Sequence, residues 1–547
     1  MWCGAERAAL RSRRRYARGV RASTNVVIMS CTTLLVGKSA SIDGSTIIAR
    51  NDDSGSGTYD PKRFIVVQPH EQPRAYVNVA GTFRIELPDD PCRYSIVPNV
   101  RANRGILAEA GVNEHNVAMS ATETISVNPR VLAADPFVKA DKKADTKTDK
   151  NNADEQVSGF GEEDIITLVL PYVTTARAGV ERLGTLLEEY GTYESNGVII
   201  SDVDEIWYVE TIGGHHWIAR RVPDDCYAAV PNQLGIDSLD FDDALSERRN
   251  NMCSADLRDF IDDHHLDRAM SSENGSPAHF DTRGAFGTAT PKDAIYNTPR
   301  AWYMQRYLNP SHDWDSEDAE YRPDSQDLPW CREPERKVSV EDVAFLMGSH
   351  FDGTPYDPYG TTGTAESRHR YRPIGVNRTG HMVCMQIRPY VPDAHRALMW
   401  ISYGCGAFTS PAPFYANVDD TPAFLRDTDG EHATTDTLYW MNRIIAVIAD
   451  AHWFDTNGEI EQYIEDVQSY GINLVEHADA SIAKDADALA QDADGVRGAA
   501  VRTALADANE TMAVWLRART QTLLDQVLYT SSNLMHNAFR MSDHWMK

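Results

Sequence analysis

Cys31 opens an aliphatic, β-branched run, Cys31-Thr32-Thr33-Leu34-Leu35-Val36-Gly37, and the next such run, Ile47-Ile48-Ala49-Arg50-Asn51-Asp52-Asp53, ends on charge. Asp43-Gly44-Ser45 between them has turn chemistry, so the pair reads as an antiparallel hairpin. A wide loop from about Lys38 to Gly44 would set Val36 opposite Ser45 and Cys31 opposite Arg50. A tight turn on Asp43-Gly44 would instead set Arg50 opposite Gly37 and leave Cys31 without its cation. We adopt the wide loop, because it brings a thiol and a guanidinium to one strand end, where the positive charge favours the nucleophilic thiolate. The other cysteines, Cys3, Cys92, Cys226, Cys253, Cys331, Cys384 and Cys405, are expected to be small buried hydrophobes.

Further blocks follow in order: Asn113-Glu114, Met119-Ser120-Ala121-Thr122-Glu123-Thr124, Val230-Pro231-Asn232-Gln233, Tyr296-Asn297-Thr298-Pro299-Arg300 and Gly353-Thr354-Pro355-Tyr356-Asp357. With Cys31-Thr32-Thr33, Val36-Gly37-Lys38, Asp43-Gly44-Ser45-Thr46 and Ala49-Arg50-Asn51-Asp52-Asp53, they make the chain from Cys31 onward resemble the dipeptidase A family. These are cysteine N-terminal-nucleophile (Ntn) hydrolases, related to penicillin V and bile salt amide hydrolases. The resemblance implies an α+β, four-layer αββα fold, and hydrolysis of small peptides, most of all dipeptides, through a thioester on Cys31. In that chemistry the α-amine of the same residue is the general base, since its pKa of about 7.7 to 8 leaves part of it unprotonated near neutrality. The Ser30-Cys31 bond must therefore be broken, because an amide nitrogen has no basic lone pair.

By the same resemblance Arg50 would hold the thiolate, Asp53 would orient the α-amine, and the Asn232 amide would help form the oxyanion hole. The relatives bring a second Asn roughly where Ser120-Ala121-Thr122 stands, but no Asn is there, so a backbone N–H or Thr122 is the candidate donor. A dipeptide presents an ammonium and a carboxylate, and a dedicated site needs one acidic anchor and one basic or N–H-rich anchor. Asp52, Glu123, Arg130 and Arg300 are eligible by type and by lying in or beside the resembling blocks. The nearest alternative is an amidase on N-acyl compounds with the same machinery. The remoter one is a non-catalytic acidic scaffold.

The 547 residues carry 53 basic and 81 acidic side chains, a net charge of −28, which argues against nucleic acid or an anionic membrane as partner. Eight cysteines without a CxxC pair fit a reducing compartment, and no stretch approaches the roughly 18 apolar residues of a spanning helix. A cytoplasmic enzyme acting on small peptides is expected, as a homo-oligomer and with no cofactor. No metal is expected either: His215-His216 and His264-His265, with Asp262 and Asp263, lack a ligand spacing, since adjacent residues point to different faces.

Residues 1–30, with seven arginines against Glu6, differ from the rest and read as a leader or propeptide, or as a start placed too early, with Met29 the true one. Residues 31–436 would form the catalytic domain. Within it, 139–157 is nearly all Lys, Asp, Ala, Thr and Asn, and reads as a disordered surface insertion. Helical spacing appears from Ile165 to Leu187, stopping at Gly191, and a β-meander follows through Val198-Ile199-Ile200, Ile206-Trp207-Tyr208-Val209 and Trp217-Ile218-Ala219. Residues 437–547 read as long helices packed on the catalytic domain.

Overall fold

The computed structural model describes residues 31–55, 59–79, 82–101, 105–138, 159–269, 280–488 and 494–536. The basic leader and the insertion at 139–157 lie outside the described residues. Seven strands form a first sheet in the order Cys331–Arg332, Tyr227–Val230, Thr32–Val36, Thr46–Asp53, Thr379–Ile387, Ala397–Tyr403, Ala412–Tyr415. Eight form a second, in the order Asn251–Cys253, His216–Arg221, Ile206–Ile212, Asn196–Ser201, Ala118–Thr124, Ala110–Asn113, Tyr94–Ile96, Ile65–Val67. The meander expected between residues 198 and 219 is the centre of this second sheet, each strand paired antiparallel with the next.

Strand side chains alternate between faces, and here both faces are apolar. On the first sheet Leu35, Ile48, Ala228, Val383 and Met385 turn toward Ile199, Tyr208 and Ile218 of the second sheet. The intervening Leu34, Val36, Ile47, Ala49 and Cys384 pack on Trp302, Met304, Val343 and Leu346, from helices Thr298–Leu308 and Val340–Gly348. The outer face of the second sheet, Met119, Val198, Ile200 and Trp207, is covered by Ile166, Leu168, Val180 and Leu183 of helices Ile165–Val169 and Ala176–Tyr190. Helices, sheet, sheet and helices therefore stack as layers in a mixed α and β protein.

The hairpin takes neither expected register. Thr33 pairs with Arg50 and Val36 with Ile47, two positions from the wide-loop arrangement. A two-residue slip keeps every side chain on its face, whereas a one-residue slip would reverse them all. Cys31 thus stays on the face of Arg50, diagonal to it and not opposite.

Three helices, Leu438–Asp450, Trp453–Ala488 and Asp494–Asn533, close the far end of the first sheet. The last two pack side by side, with Tyr470 stacked on Trp515 at 4.0 Å. Their covering of the outermost strand is polar as well as apolar. Asn509 accepts from the Tyr415 backbone N–H at 2.7 Å and donates to its carbonyl at 3.0 Å, so one buried amide stands in for a missing neighbouring strand.

Candidate active site

Cys31 lies at the mouth of the first strand, between the two sheets, with no exposed surface. Its surroundings are charged, not apolar. The thiol donates to Glu109 Oε2 at 3.7 Å, and Arg50 grips the same oxygen through Nε at 2.9 Å and a terminal nitrogen at 2.8 Å. Arg50 also lies 3.6 Å from Glu162. The sulfur and the Arg50 guanidinium thus share one carboxylate oxygen. Glu109 arrives from the second sheet, just ahead of strand Ala110–Asn113, with a backbone φ of 43°. Burial, then the Asp52 charge, hold its carboxyl well above the usual range, with Arg50 pulling down and Glu162 pushing up.

Pairing on the other side of the first strand delivers Asn232. Thr33 faces Val230, and continuing that ladder past the strand ends brings Asn232 alongside Cys31. Arg300, in the first turn of helix Thr298–Leu308, locks the two together. One of its terminal nitrogens donates to the Cys31 carbonyl and, at 2.6 Å, to Thr32 Oγ1. The other donates to Asn232 Oδ1 at 2.8 Å and Asn297 Oδ1 at 2.9 Å, while Nε donates to the Tyr296 carbonyl at 3.0 Å. Asn297 in turn donates to the Asn232 carbonyl at 3.1 Å. Because Arg300 takes Oδ1, the Asn232 amide is fixed with Nδ2 on the side away from that guanidinium.

Asp53 is fully buried, bonded to Arg372 and to Thr379 Oγ1 at 2.5 Å. Arg372 also donates to Thr32 Oγ1 at 3.3 Å, so Asp53 joins the Cys31-Thr32 segment through this second arginine. Asp52 points to the opposite face and pairs with Lys62 at 2.7 Å and His381 at 3.2 Å. One strand serves both carboxylates because its register shifts between Thr379 and His381. The extra residue there, Gly380, reverses the alternation, and Thr379 and His381 fall on different faces.

Cys31, Arg50, Asp53 and Asn232 thus converge, as does Arg300, but two of the eligible substrate anchors, Asp52 and Arg300, are turned to protein partners. Asp52 is consumed in a buried ion pair: burial pushes its carboxyl up, and Lys62 and His381 pull it down by more, so it stays charged and engaged. The five donors of Arg300 are spent on protein acceptors. Arg130 is exposed in the short helix Pro129–Ala134. The strand carrying Thr122 and Glu123 bulges between Ala121 and Glu123, and those two side chains are not among the described ones. Sequence reasoning missed Glu109 and Arg372. Glu109 had a signal, a lone charge in Ile106-Leu107-Ala108-Glu109-Ala110-Gly111-Val112, while Arg372 before Pro373 had none.

Sulfur and carboxylate atoms of Cys31, Glu109 and Glu162 lie within 4.8 Å of one another. Cys92, Glu114 and His115 form the other such group found among the described residues, and it is partly exposed. The adjacent His215 and His216 do share one partner, Asp135, at 3.0 and 2.8 Å, because His215 sits in the turn ahead of strand His216–Arg221. Opposite faces, the reason for setting that pair aside, do not describe it.

Known proteins resemble the chain over most of its length. It is 51% identical over 543 residues to a dipeptidase of Bifidobacterium longum, covering 94% of this chain and all of that one. It is 46% identical over 514 residues to a probable dipeptidase A of Streptococcus pyogenes serotype M18, covering 94% and 98%. With dipeptidase A of Lactobacillus helveticus the identity is 39% over 516 residues, covering 94% and 99%. A profile of Peptidase family C69 matches residues 30–466, which include all the converging side chains described above, and the chain belongs to that family.

Proposed function

We propose that the chain is a cysteine dipeptidase of the Ntn type, cutting dipeptides through a thioester on Cys31. The observation that carries this reading is the double grip of Arg300. A single buried guanidinium holds the carbonyl of Cys31 and the amide of Asn232, so nucleophile and oxyanion donor are set against each other by one rigid part. Names of the relatives and the layered sheets support the substrate class and an αββα Ntn fold.

Breaking the Ser30-Cys31 bond frees an α-amine. That amine takes the thiol proton, and the sulfur attacks the scissile carbonyl. Asn232 Nδ2 donates to the developing oxyanion, a contact worth about 3 to 4 kcal/mol in the transition state. The protonated amine then gives its proton to the leaving amino acid, and water cleaves the thioester, restoring the thiol. Arg50 acts by holding Glu109, and Asp53 by fixing Arg372 and Thr32. Residues 31–436 form the catalytic unit and 437–547 a helical region packed on it. No helix among the described residues is long and apolar enough to cross a membrane. The described cysteines are free thiols, which fits a cytoplasmic protein. Assembly into a homo-oligomer belongs to the same reading.

Intact-mass analysis and dipeptide hydrolysis test it together. The purified enzyme is expected to begin at Cys31, and Cys31→Ala to lose activity by a factor on the order of 1,000 or more. Equal rates in parent and variant sink the mechanism. An N-acylated dipeptide cut faster than the free one makes the protein an amidase of the N-acyl class instead.

A further inference from the structure

We propose that Glu109, with Glu162 beside it, receives the free α-ammonium of the substrate and thereby selects peptides with an unblocked amino terminus. The inference rests on Cys31 being the nucleophile.

Covalent geometry confines where that ammonium can be. In a dipeptide the α-nitrogen is two bonds from the scissile carbon, about 2.5 Å away, and an attacking sulfur stands about 3 Å from the same carbon. The ammonium therefore lies within about 5.5 Å of Sγ, and its acceptor one hydrogen bond further. Glu109 and Glu162 meet this condition, since one carboxylate oxygen of each falls within 4.8 Å of the sulfur. Asp52, the acidic candidate from sequence, is already neutralised by Lys62.

A second observation concerns one atom. Arg50 and the thiol both use Glu109 Oε2, while Oε1 is buried and has no hydrogen-bond partner among the described residues. A carboxylate oxygen held in the interior without a donor is costly, and an ammonium N–H would satisfy it. The charge balance points the same way. Next to this pair, Glu194 accepts from the Glu162 backbone N–H at 2.8 Å, and burial together with the Glu162 charge pushes its carboxyl up to about 8. The acids crowd around Arg50, with Lys62 acting on Glu109 more weakly, and a cation arriving with the substrate relieves their repulsion. A metal ion bridging Sγ and Oε2 fits less well, because the guanidinium already occupies that oxygen at 2.8 Å. An N-acyl substrate brings no charge and leaves the repulsion among the acids unrelieved and Glu109 Oε1 without a donor, which is the physical basis for rejecting it.

The test compares alanylalanine with propionylalanine, which differs only in lacking the amine, on enzyme shown by intact mass to begin at Cys31. The parent is expected to favour alanylalanine by on the order of 100-fold in kcat/KM. Glu109→Gln is expected to shrink that preference to about tenfold or less, with the larger part of its loss on alanylalanine appearing in KM. Glu162→Gln is measured alongside, and shows the same loss of selectivity where Glu109→Gln fails to fold. Equal losses on both substrates overturn the proposal and assign the carboxylates to the sulfur or the fold. Inactivation by a chelator with recovery on adding zinc overturns it in favour of a metal. Activity retained in Cys31→Ala removes the nucleophile reading itself, a failure distinct from the other two.

Discussion

At the scale of single residues, some charged side chains of the site hold other side chains in place. Arg300 is one of them. Its planar fork satisfies acceptors on Cys31, Thr32, Tyr296, Asn232 and Asn297 at once, a pattern that the point charge of lysine cannot reproduce. Arg300→Lys is therefore expected to lower kcat by about 100- to 1,000-fold with little change in the KM for a dipeptide. Steady-state kinetics check this, and a variant that raised KM while keeping kcat would return Arg300 to the role of a substrate anchor. Residue type and its place in a resembling block brought Arg300 onto the list of candidate anchors, but left open what it would hold. Residue type says that a guanidinium wants carboxylates and carbonyls, and only the packed site says whose they are.

At the scale of elements, the strand Ile206–Ile212 reaches across from the second sheet to the loop behind Asn232. Its buried Glu210 accepts from the backbone N–H groups of Gly235 and Ile236. Burial nonetheless pushes its carboxyl up to about 8, against those hydrogen bonds and Arg283, from an ordinary value of 4.5. The consequence for stability has a definite sign. Below the unfolded value both states are protonated and the group is silent. As pH rises above it the unfolded chain ionises first, so stability falls until about pH 8, where the folded carboxyl ionises too. This loss amounts to on the order of 3 kcal/mol at pH 7. Glu210→Gln is expected to weaken the decline in urea midpoint between pH 5 and 8, and an unchanged slope would show that other groups govern it. The hairpin illustrates the same scale differently. Two β-branched runs and a turn made the pairing legible, but register depends on what the loop packs against. Here Ser41 bridges to Val338, and the Gly37 N–H reaches the Cys226 carbonyl, partners far off in sequence.

At the scale of the whole molecule, the C-terminal helices are a wall of the structure and not an appendage. Phe414, Leu516, Leu523, Tyr463 and Val467 share one core with the inter-sheet residues, and Asn509 completes the edge strand. A chain ended after Asp450 is expected to expose that edge and aggregate, while the intact protein unfolds in one calorimetric transition. Two well-separated transitions would show that the helices fold as an independent unit.

What the sequence determined by itself was local or compositional. Alternating and helical apolar spacing placed the meander, the helices beyond Ile165 and the long C-terminal helices, because those periods follow from backbone geometry alone. The thiol at a strand end, the charges closing the next strand and Asn232 after a proline were equally legible. The tertiary structure decided which charges face one another. Glu109 comes from the second sheet and Arg372 from a loop more than three hundred residues past Cys31. Glu109 reaches the site only when the sheets pack face to face, Arg372 when its loop packs on the helix side of the first sheet against Thr32 and Asp53, and a buried charge takes its meaning from the partner that packing delivers.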